Sequence, residues 1–253
     1  MIDLHCHILP YIDDGPKTWS DFLEMARHAG KQGIKVIYTT PHHMNGYYIN
    51  TKNDILKHVE QCNEQLKKAN IHVQLYPGQE VQIHRDLFTA LDKGEILTLN
   101  NGKYLLLELP SSYVPSYTHE VIYELLIKEI TPIIVHPERN QGFIENCQLL
   151  FDIVLEGALV QITSGSIIGL FGRKIKSFSE KIIDHRFAHF IATDAHNTRS
   201  RTFTLNEAYE TITKLYGIQQ MYFFRENAEL LHNGNQVHVE QPIPMRKKIL
   251  GLF

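Results

Sequence analysis

The chain has 253 residues, of which 43% are hydrophobic, and it carries a formal net charge of −3 at pH 7. That hydrophobic fraction supports a sizeable core and excludes a disordered chain. The small net charge excludes a strong bulk attraction to nucleic acid or to an anionic membrane. No apolar run approaches the roughly 20 residues that a transmembrane helix needs, and the first residues lack the pattern of a signal peptide.

The three cysteines, Cys6, Cys62 and Cys147, are odd in number and form no Cys-x-x-Cys pair. A disulfide framework is therefore not expected, and this composition fits the reducing cytoplasm. The same spacing argues against a zinc site built on paired thiolates. The chain does contain 15 histidines, so their positions decide whether any of them binds a metal.

Short β-rich runs alternate with longer segments of helical periodicity. Seven strands are predicted, at 2–5, 35–40, 73–80, 104–109, 132–136, 158–162 and 189–194. Between them apolar residues recur three and four positions apart, as at Phe22, Met25 and Ala29, which predicts amphipathic helices. This alternation predicts βα units and an α/β fold with a parallel sheet. Seven units without a domain break predict one domain over residues 1–253, closed or nearly closed into a barrel.

Ionisable side chains fall at the ends of six of these seven strands. In a parallel barrel the strand ends meet at one rim, where crowded carboxylates and imidazoles are costly unless cations neutralise them. Imidazole and carboxylate donors suit Mn²⁺, Fe or Zn²⁺. These side chains outnumber the ligands that a single metal ion takes. Two or three ions that share Glu80 as a bridging ligand would account for the number of side chains. The residues concerned are His5, His7, His42, His43, Glu80, Glu108, His136, Glu138, Arg139, Asp194 and His196.

The first strand shows how this placement works. Side chains alternate across a strand, so His5 and His7 are expected to point to the same side, toward the rim. Cys6 is then expected to point the other way, toward the helices, as a small buried thiol.

Five motifs occur in order along the chain: HCH, TPHH, GQE, HPER and TDAH. Together they resemble the polymerase-and-histidinol-phosphatase (PHP) superfamily. The longer stretches DLHCHILPYIDDGP, TPHHMNGYY, PGQEV and HPERN narrow the resemblance to the bacterial tyrosine-protein phosphatases of the CpsB/YwqE type, from Met1 to about Arg201. The resemblance implies a distorted (β/α)7, TIM-like barrel with a metal site at its C-terminal rim.

The resemblance also implies three divalent or trivalent metal ions, with manganese as the first expectation and iron or zinc as alternatives. Each ion takes ligands from several strand ends, and Glu80 is shared by two of them. By position, the three ligand sets are His5, His7, Glu80 and Asp194; then Glu80, Glu108 and His136; then Asp14, His42 and His196. Asp13 is a possible substitute for its neighbour Asp14.

The activity implied is hydrolysis of phosphotyrosine on proteins such as a bacterial tyrosine kinase, in the control of capsule and exopolysaccharide synthesis. The metal ions activate water for in-line attack on phosphorus, and Arg139 and Arg201 hold the phosphate oxygens. Arg199 lies close to Arg201 in the sequence, so it is the alternative candidate for the second phosphate-binding arginine. His43 is a candidate general acid, or else a residue that contacts the metal ligands and not the metal itself. Cysteine-based phosphatase chemistry is excluded, because no cysteine is followed by arginine at the Cys-x₅-Arg spacing.

Several alternatives stay open. A small-molecule phosphatase, such as a histidinol-phosphate phosphatase, could share the same metal site. A nuclease is disfavoured because composition offers no basic groove. A metal-bearing regulatory module without turnover is disfavoured by the full set of ligands. The sequence does not fix the oligomeric state.

Three segments have two interpretations each. The aromatic and small residues of NGYYIN (45–50) and GLFG (169–172) are expected either to line an open rim that admits a peptide or to pack as ordinary loops. The basic and apolar tail QPIPMRKKILGLF (241–253) is expected to pack on the barrel as a strap, with weak contact to a membrane surface or partner as the alternative.

Overall fold

The computed structural model describes residues 1–244. The predicted C-terminal strap lies, from residue 245 onward, outside the described residues. The strands are β1 (Ile2–Cys6), β2 (Val36–Thr39), β3 (His42–His43), β4 (Gln74–Pro77), β5 (Glu80–Gln82), β6 (Tyr104–Glu108), β7 (Thr131–Val135), β8 (Leu159–Thr163) and β9 (Phe190–Ala192). The α-helices are α1 (Trp19–Lys31), α2 (Lys52–Lys68), α3 (Leu87–Asp92), α4 (Thr118–Ile127), α5 (Gln141–Glu145), α6 (Gln148–Leu155), α7 (Ser164–Ile168), α8 (Arg173–Asp184), α9 (Leu205–Tyr216) and α10 (Ile218–His232).

All the strand pairs are parallel. One sheet has the order β1-β2-β4, and the other has the order β3-β5-β6-β7-β8-β9. A parallel bridge between Cys6 and Ala195 brings the end of β1 beside the end of β9. The strands therefore follow one another around a distorted TIM-like barrel, and the predicted α/β fold is confirmed.

Two of the predicted strands are each followed or interrupted by a break. The run at 35–40 contains β2 alone, and Thr40 and Pro41 separate it from β3, which begins beyond the predicted run; a proline has no N–H to donate to a ladder. The run at 73–80 is interrupted at Gly78, where a Cβ would lie 2.7 Å from Leu99 Cδ2. Both breaks lie on the C-terminal side of the barrel, and each brings one ionisable residue, His42 or Glu80, to the start of a short rim strand.

Two apolar layers hold the barrel together. Inside, alternate strand residues such as Leu4, Leu106 and Phe190 form one buried cluster. Outside, their neighbours pack against the helices in a larger cluster that includes Leu105 and Ile134. The interior cluster stops short of the C-terminal rim, where the interior-facing positions become polar.

Helix α10 closes the opposite end of the barrel and was not predicted from the sequence. Its residues Ala228 and Leu231, with Val237 just beyond it, join the interior cluster. Tyr104, at the start of β6, donates a hydrogen bond to the Asn235 carbonyl oxygen at 3.2 Å. Within residues 1–244, none of the helices has the length and apolar character required to cross a bilayer.

Candidate metal centre

The first strand brings two histidines to the rim through a break in its register. Asp3 pairs with Ile37 and Cys6 with Thr39, so β1 has one more residue than β2 over this span. The extra residue is a bulge, a feature often found beside active sites. His5 and His7 consequently approach Glu80, with Nε2–oxygen distances of 3.4 and 3.2 Å. Cys6 packs in the outer cluster, on the helix side, as predicted.

Glu80 is the centre of the cluster. It is fully buried at the first position of β5, paired in register with His42. His136 Nε2 lies 2.7 Å from one carboxylate oxygen, and His42 Nδ1 lies 2.8 Å from the other. Although burial favours the neutral acid, the neighbouring imidazoles of His5 and His42 hold the pKa of Glu80 well below its ordinary value. One anionic carboxylate therefore faces four imidazoles.

Several of these close atoms are not hydrogen-bonded. His42 Nδ1 and Glu80 Oε2 are 2.8 Å apart, yet their alignment gives neither atom a hydrogen-bond partner within the described residues. Glu108 Oε2 and His196 Nε2 are buried without partners as well. Buried polar atoms in proteins are nearly always hydrogen-bonded, so four such atoms around one point need another partner. Nitrogen and oxygen lone pairs that converge in this way fit metal ions.

Three groups of donors have the spacing needed to hold an ion, with the donor atoms of each group lying within 4.8 Å of one another. They are His5, His7 and Glu80; His42, Glu80 and Glu108; and His7, Asp14, His42 and His196. The first and third groups overlap the sets expected from the sequence. In the second, His42 joins Glu80 and Glu108, whereas His136 lies at the other oxygen of Glu80.

The protonation states expected in this cluster are mostly those of ligands. Burial, with Arg139 nearby, lowers the pKa of His136 to about 4. Burial, with His7 nearby, also lowers the pKa of His196 to about 4. Metal ligation requires neutral imidazoles and ionised carboxylates. Three residues depart from this pattern. Burial and the charge of Glu80 raise the pKa of Glu108 to about 7. Against the opposing effect of burial, Asp13 raises the pKa of His7 well above its ordinary value, and Glu80 raises that of His42.

Arginine side chains meet the cluster at Asp194. Arg139 contacts Asp194 Oδ2 at 2.5 Å, and Arg201 places one nitrogen 3.0 Å from both Asp194 oxygens. Against the opposing effect of burial, Arg139 holds the pKa of Asp194 well below its ordinary value. The Arg139 guanidinium also lies 5.5 Å from the centre of the Phe171 ring. Both arginines line a cavity of about 260 Å³ together with His42, Glu108 and His136.

Two neighbours of these arginines lie elsewhere. Arg199, the alternative to Arg201, is exposed and lines a separate cavity beside Asp14. Glu138, which precedes Arg139 in the chain, is fully buried and accepts hydrogen bonds from Ser166 Oγ at 2.7 Å and Thr163 N at 3.0 Å. The geometry therefore groups Arg139 with Arg201 at the rim.

Two residues of the cluster have left-handed backbone conformations. His136 has φ 38° and Asp194 has φ 52°, and neither is glycine. Such conformations are uncommon for residues other than glycine, although histidine and aspartate adopt them more readily than most. Here the backbone N–H of His136 donates to the Gln161 carbonyl oxygen at 2.8 Å, and that of Asp194 donates to the His5 carbonyl oxygen at 2.8 Å. Both residues lie just beyond the ends of their strands, at the barrel mouth.

Two residues that orient the histidines were missed from the sequence. Asp13 Oδ2 lies 2.7 Å from His7 Nδ1, and Gln161 Oε1 lies 2.8 Å from His5 Nδ1. A partner on one ring nitrogen fixes the tautomer and leaves the other nitrogen free for a metal. Asp14, in contrast, approaches His196 at 3.2 Å and His42 at 3.5 Å. Asp13 and Asp14 thus differ in position, although the sequence treated one as a substitute for the other.

His43 is not brought to this cluster. It follows His42 in β3 and pairs in register with Val81, a residue of the outer cluster. Its side chain is buried, both ring nitrogens lack hydrogen-bond partners within residues 1–244, and burial lowers its pKa. The alternation of β3 thus sends His42 into the rim and His43 away from it.

Comparison with known proteins gives a consistent set of relatives. A family described as capsular polysaccharide synthesis, CpsB/CapC, matches residues 1–233. The tyrosine-protein phosphatase YwqE of Bacillus subtilis is 42% identical over the full length of both chains. The tyrosine-protein phosphatase CpsB of Streptococcus agalactiae is 31% identical, over 90% of this chain and 97% of that protein.

A solved structure agrees with these sequence relatives. It comes from work on YwqE of Bacillus subtilis and CpsB of Streptococcus pneumoniae, described as unique metal-dependent tyrosine phosphatases. It superposes with a TM-score of 0.95 at 42% identity, covering 98% of this chain and all of the other. The similarity therefore extends over nearly the whole barrel.

Proposed function

Because this chain belongs to the CpsB/CapC family, we propose that it is a metal-dependent protein-tyrosine phosphatase, a phosphoric monoester hydrolase that removes phosphate from tyrosine residues of proteins. The observation that carries the proposal is the set of buried nitrogen and oxygen atoms without hydrogen-bond partners, beside two arginines in one cavity. Metal cations bind buried nitrogen and oxygen lone pairs of this kind, and guanidinium groups bind phosphate oxygens through paired hydrogen bonds.

The residues proposed to hold three metal ions, with manganese as the first candidate and iron or zinc as alternatives, share the C-terminal rim. They are His5, His7, Asp14, His42, Glu80, Glu108, His136, Asp194 and His196. Glu80 is proposed as the shared carboxylate because each of its oxygens faces a different imidazole. Ions bound in such a cluster lower the pKa of water and polarise phosphoryl oxygens.

The protein's own groups bind and orient the substrate. Arg139 and Arg201 are proposed to donate to the non-bridging phosphoryl oxygens from the wall of the cavity. Their charge is permanent, so they stabilise the charge that develops in the transition state without moving a proton. Asp194 holds both guanidinium groups on one side of the site. Asp13 and Gln161 hold the rings of His7 and His5 in one orientation. We leave His43 without a catalytic role.

The wider setting is also a proposal. A bacterial tyrosine kinase that controls capsule or exopolysaccharide synthesis is the expected substrate, since the family is described by capsule synthesis. The cytoplasm is the expected compartment, and the free thiols of Cys6, Cys62 and Cys147 fit it. We treat residues 1–253 as one catalytic domain. A non-catalytic regulatory module remains the alternative that the first experiment tests.

The experiment measures metal content and turnover on one preparation. Exhaustive chelation is expected to abolish hydrolysis of a phosphotyrosine peptide, and Mn²⁺ is expected to restore it. Full activity in a sample shown to be metal-free would contradict the proposal. Histidinol phosphate serves as the comparison substrate, and a higher kcat/KM for it than for the peptide would favour the small-molecule phosphatase. No turnover of either substrate by metal-loaded protein would favour the regulatory module.

A further inference from the structure

The loop after β3 is built as a fixed turn at the edge of the rim. The Asn45 side-chain oxygen accepts hydrogen bonds from the backbone N–H groups of Tyr47 and Tyr48, at 3.1 and 2.9 Å. Met44 N donates to the Tyr48 carbonyl oxygen at 2.9 Å and closes the loop. The side chain of Asn50 then donates to the carbonyl oxygens of Ile12 and His42, at 3.0 and 2.8 Å. The loop is thereby fastened both to β3 and to the segment that carries Asp13 and Asp14.

This turn gives two neighbouring tyrosines opposite environments. Tyr47 is 89% exposed and makes no aromatic contact within residues 1–244. Tyr48 is only partly exposed, and its ring lies almost parallel to that of His42, with an angle of 10° and a centroid distance of 6.2 Å. Partial burial raises the pKa of Tyr48, and the nearby carboxylates of Asp14 and Asp13 add to the effect. Tyr48 therefore stands beside the metal cluster, and Tyr47 points into solvent.

The position of the arginines indicates where the organic part of a phosphate ester must go. Arg139 and Arg201 meet at Asp194, on one side of the cavity, and attract the phosphoryl oxygens there. The group esterified to the phosphate then has to leave the cavity on a different side. His42 lines that cavity, and the partly exposed ring of Tyr48 lies nearly parallel to the His42 ring just outside it. Phe171, the aromatic residue on the arginine side, already packs against Arg139.

We propose that Tyr48 is a specificity-determining residue, which selects aryl phosphates by stacking on the phenyl ring of the phosphotyrosine. This inference rests on the proposed phosphatase function and names the feature of the same site that recognises the aromatic group. A phenyl ring gains from an offset-stacked aromatic neighbour beyond the burial of its area. Tyrosine also provides this surface with few rotatable bonds, so little conformational entropy is lost on binding.

The test uses non-hydrolysable inhibitors of the metal-loaded enzyme, because they separate ring recognition from leaving-group chemistry. Benzylphosphonate carries a phenyl ring at nearly the distance found in phenyl phosphate, and ethylphosphonate carries only a short alkyl chain. Tyr48→Ala is expected to raise the ratio of the benzylphosphonate to the ethylphosphonate inhibition constant roughly 3- to 10-fold. Tyr48→Phe is expected to keep the wild-type ratio, because it retains the ring.

Tyr47→Ala is the matched control, because it removes the same side chain one position earlier from an exposed site. Its ratio is expected to equal that of the wild type. An equal weakening of both inhibitors in Tyr48→Ala would overturn the inference, because it would mean that Tyr48 only supports His42 or the metals. An unchanged ratio would overturn it too. Both results leave the phosphatase proposal standing, whereas a wild-type enzyme without turnover of p-nitrophenyl phosphate would refute that proposal instead.

Discussion

Arg139 gives the sharpest test of the proposed phosphate site. Its guanidinium lies between Asp194 and the Phe171 ring, and 22% of its side chain remains exposed at the cavity wall. Replacing it by alanine removes a permanent charge next to the proposed position of the phosphoryl oxygens. The substitution leaves every proposed metal ligand in place, since Arg139 is not one of them. Arg139→Ala is therefore expected to fold and to keep its metals.

The size of the effect follows from the surroundings of Arg139. Losing one well-placed donor to developing transition-state charge typically lowers the rate by about 10²- to 10³-fold. Partial exposure of Arg139 screens its charge, and Arg201 contacts the same carboxylate at 3.0 Å, so the lower end of that range applies. We expect kcat/KM to fall roughly 100-fold in Arg139→Ala and roughly 10-fold in Arg139→Lys, which keeps the charge but loses the fork.

The assay measures kcat/KM for a phosphotyrosine peptide and the metal content on the same samples. Arg199→Ala is the matched control, because Arg199 is exposed and lies outside the cavity that holds Arg139. Its kcat/KM is expected to stay within about 3-fold of the wild type, as for most surface substitutions. A metal-loaded Arg139→Ala enzyme with near-wild-type turnover would refute the assignment. An equal loss in Arg199→Ala would show that the effect is not local to this cavity.

Four further substitutions test the metal cluster and the loop behind it. Glu80→Gln is expected to lower the occupancy of two metal sites, because both oxygens of Glu80 face imidazoles. Asp14→Asn is expected to lower the occupancy of one. Elemental analysis that found equal metal losses in the two variants would contradict the role of Glu80 as a shared ligand. Asp13→Asn is expected to weaken metal binding roughly 10- to 100-fold in a metal titration, since it removes the charge that orients His7, and an unchanged affinity would show that this contact is idle. Gly15→Ala would place a Cβ 2.1 Å from the His7 carbonyl oxygen. The free energy of unfolding is therefore expected to fall by roughly 1–3 kcal/mol, measured by thermal denaturation. An unchanged Tm would argue against this packing.

The fold could be predicted largely because periodicity and strand composition agreed along the chain. The short helices α3, α5 and α7 and the long helix α10 were not predicted, and α10 shows what periodicity misses. Ile218 and Tyr222 are exposed although they are apolar, and Asn227 is fully buried although it is polar. The Asn227 amide donates to the carbonyl oxygens of His189 and His238 and accepts from His238 N. These partners come from distant parts of the chain, so local sequence gave no reason to place a polar residue on a buried helix face.

The candidate site could be predicted to the level of strand ends but not beyond. Parallel strands bring their C-terminal ends together whatever the details of packing, so Glu108, His136 and Asp194 were found without a structure. The sequence placed His43 near the cluster as a possible general acid, and its turn away from the rim could not be predicted because β3 is only two residues long and its register is set by pairing with β5. The role of Gln161 could not be predicted, because its contact with His5 Nδ1 depends on how β8 and β1 face each other across the barrel.

Asp194 explains why these pieces act as one site. Its Oδ1 lies 3.4 Å from His7 Nε2 and 3.6 Å from His5 Nε2, on the side of the proposed metals. Its Oδ2 contacts Arg139 and Arg201, on the side of the proposed phosphate. A residue that joins two groups transmits changes between them, so substitutions on either side are not expected to be additive.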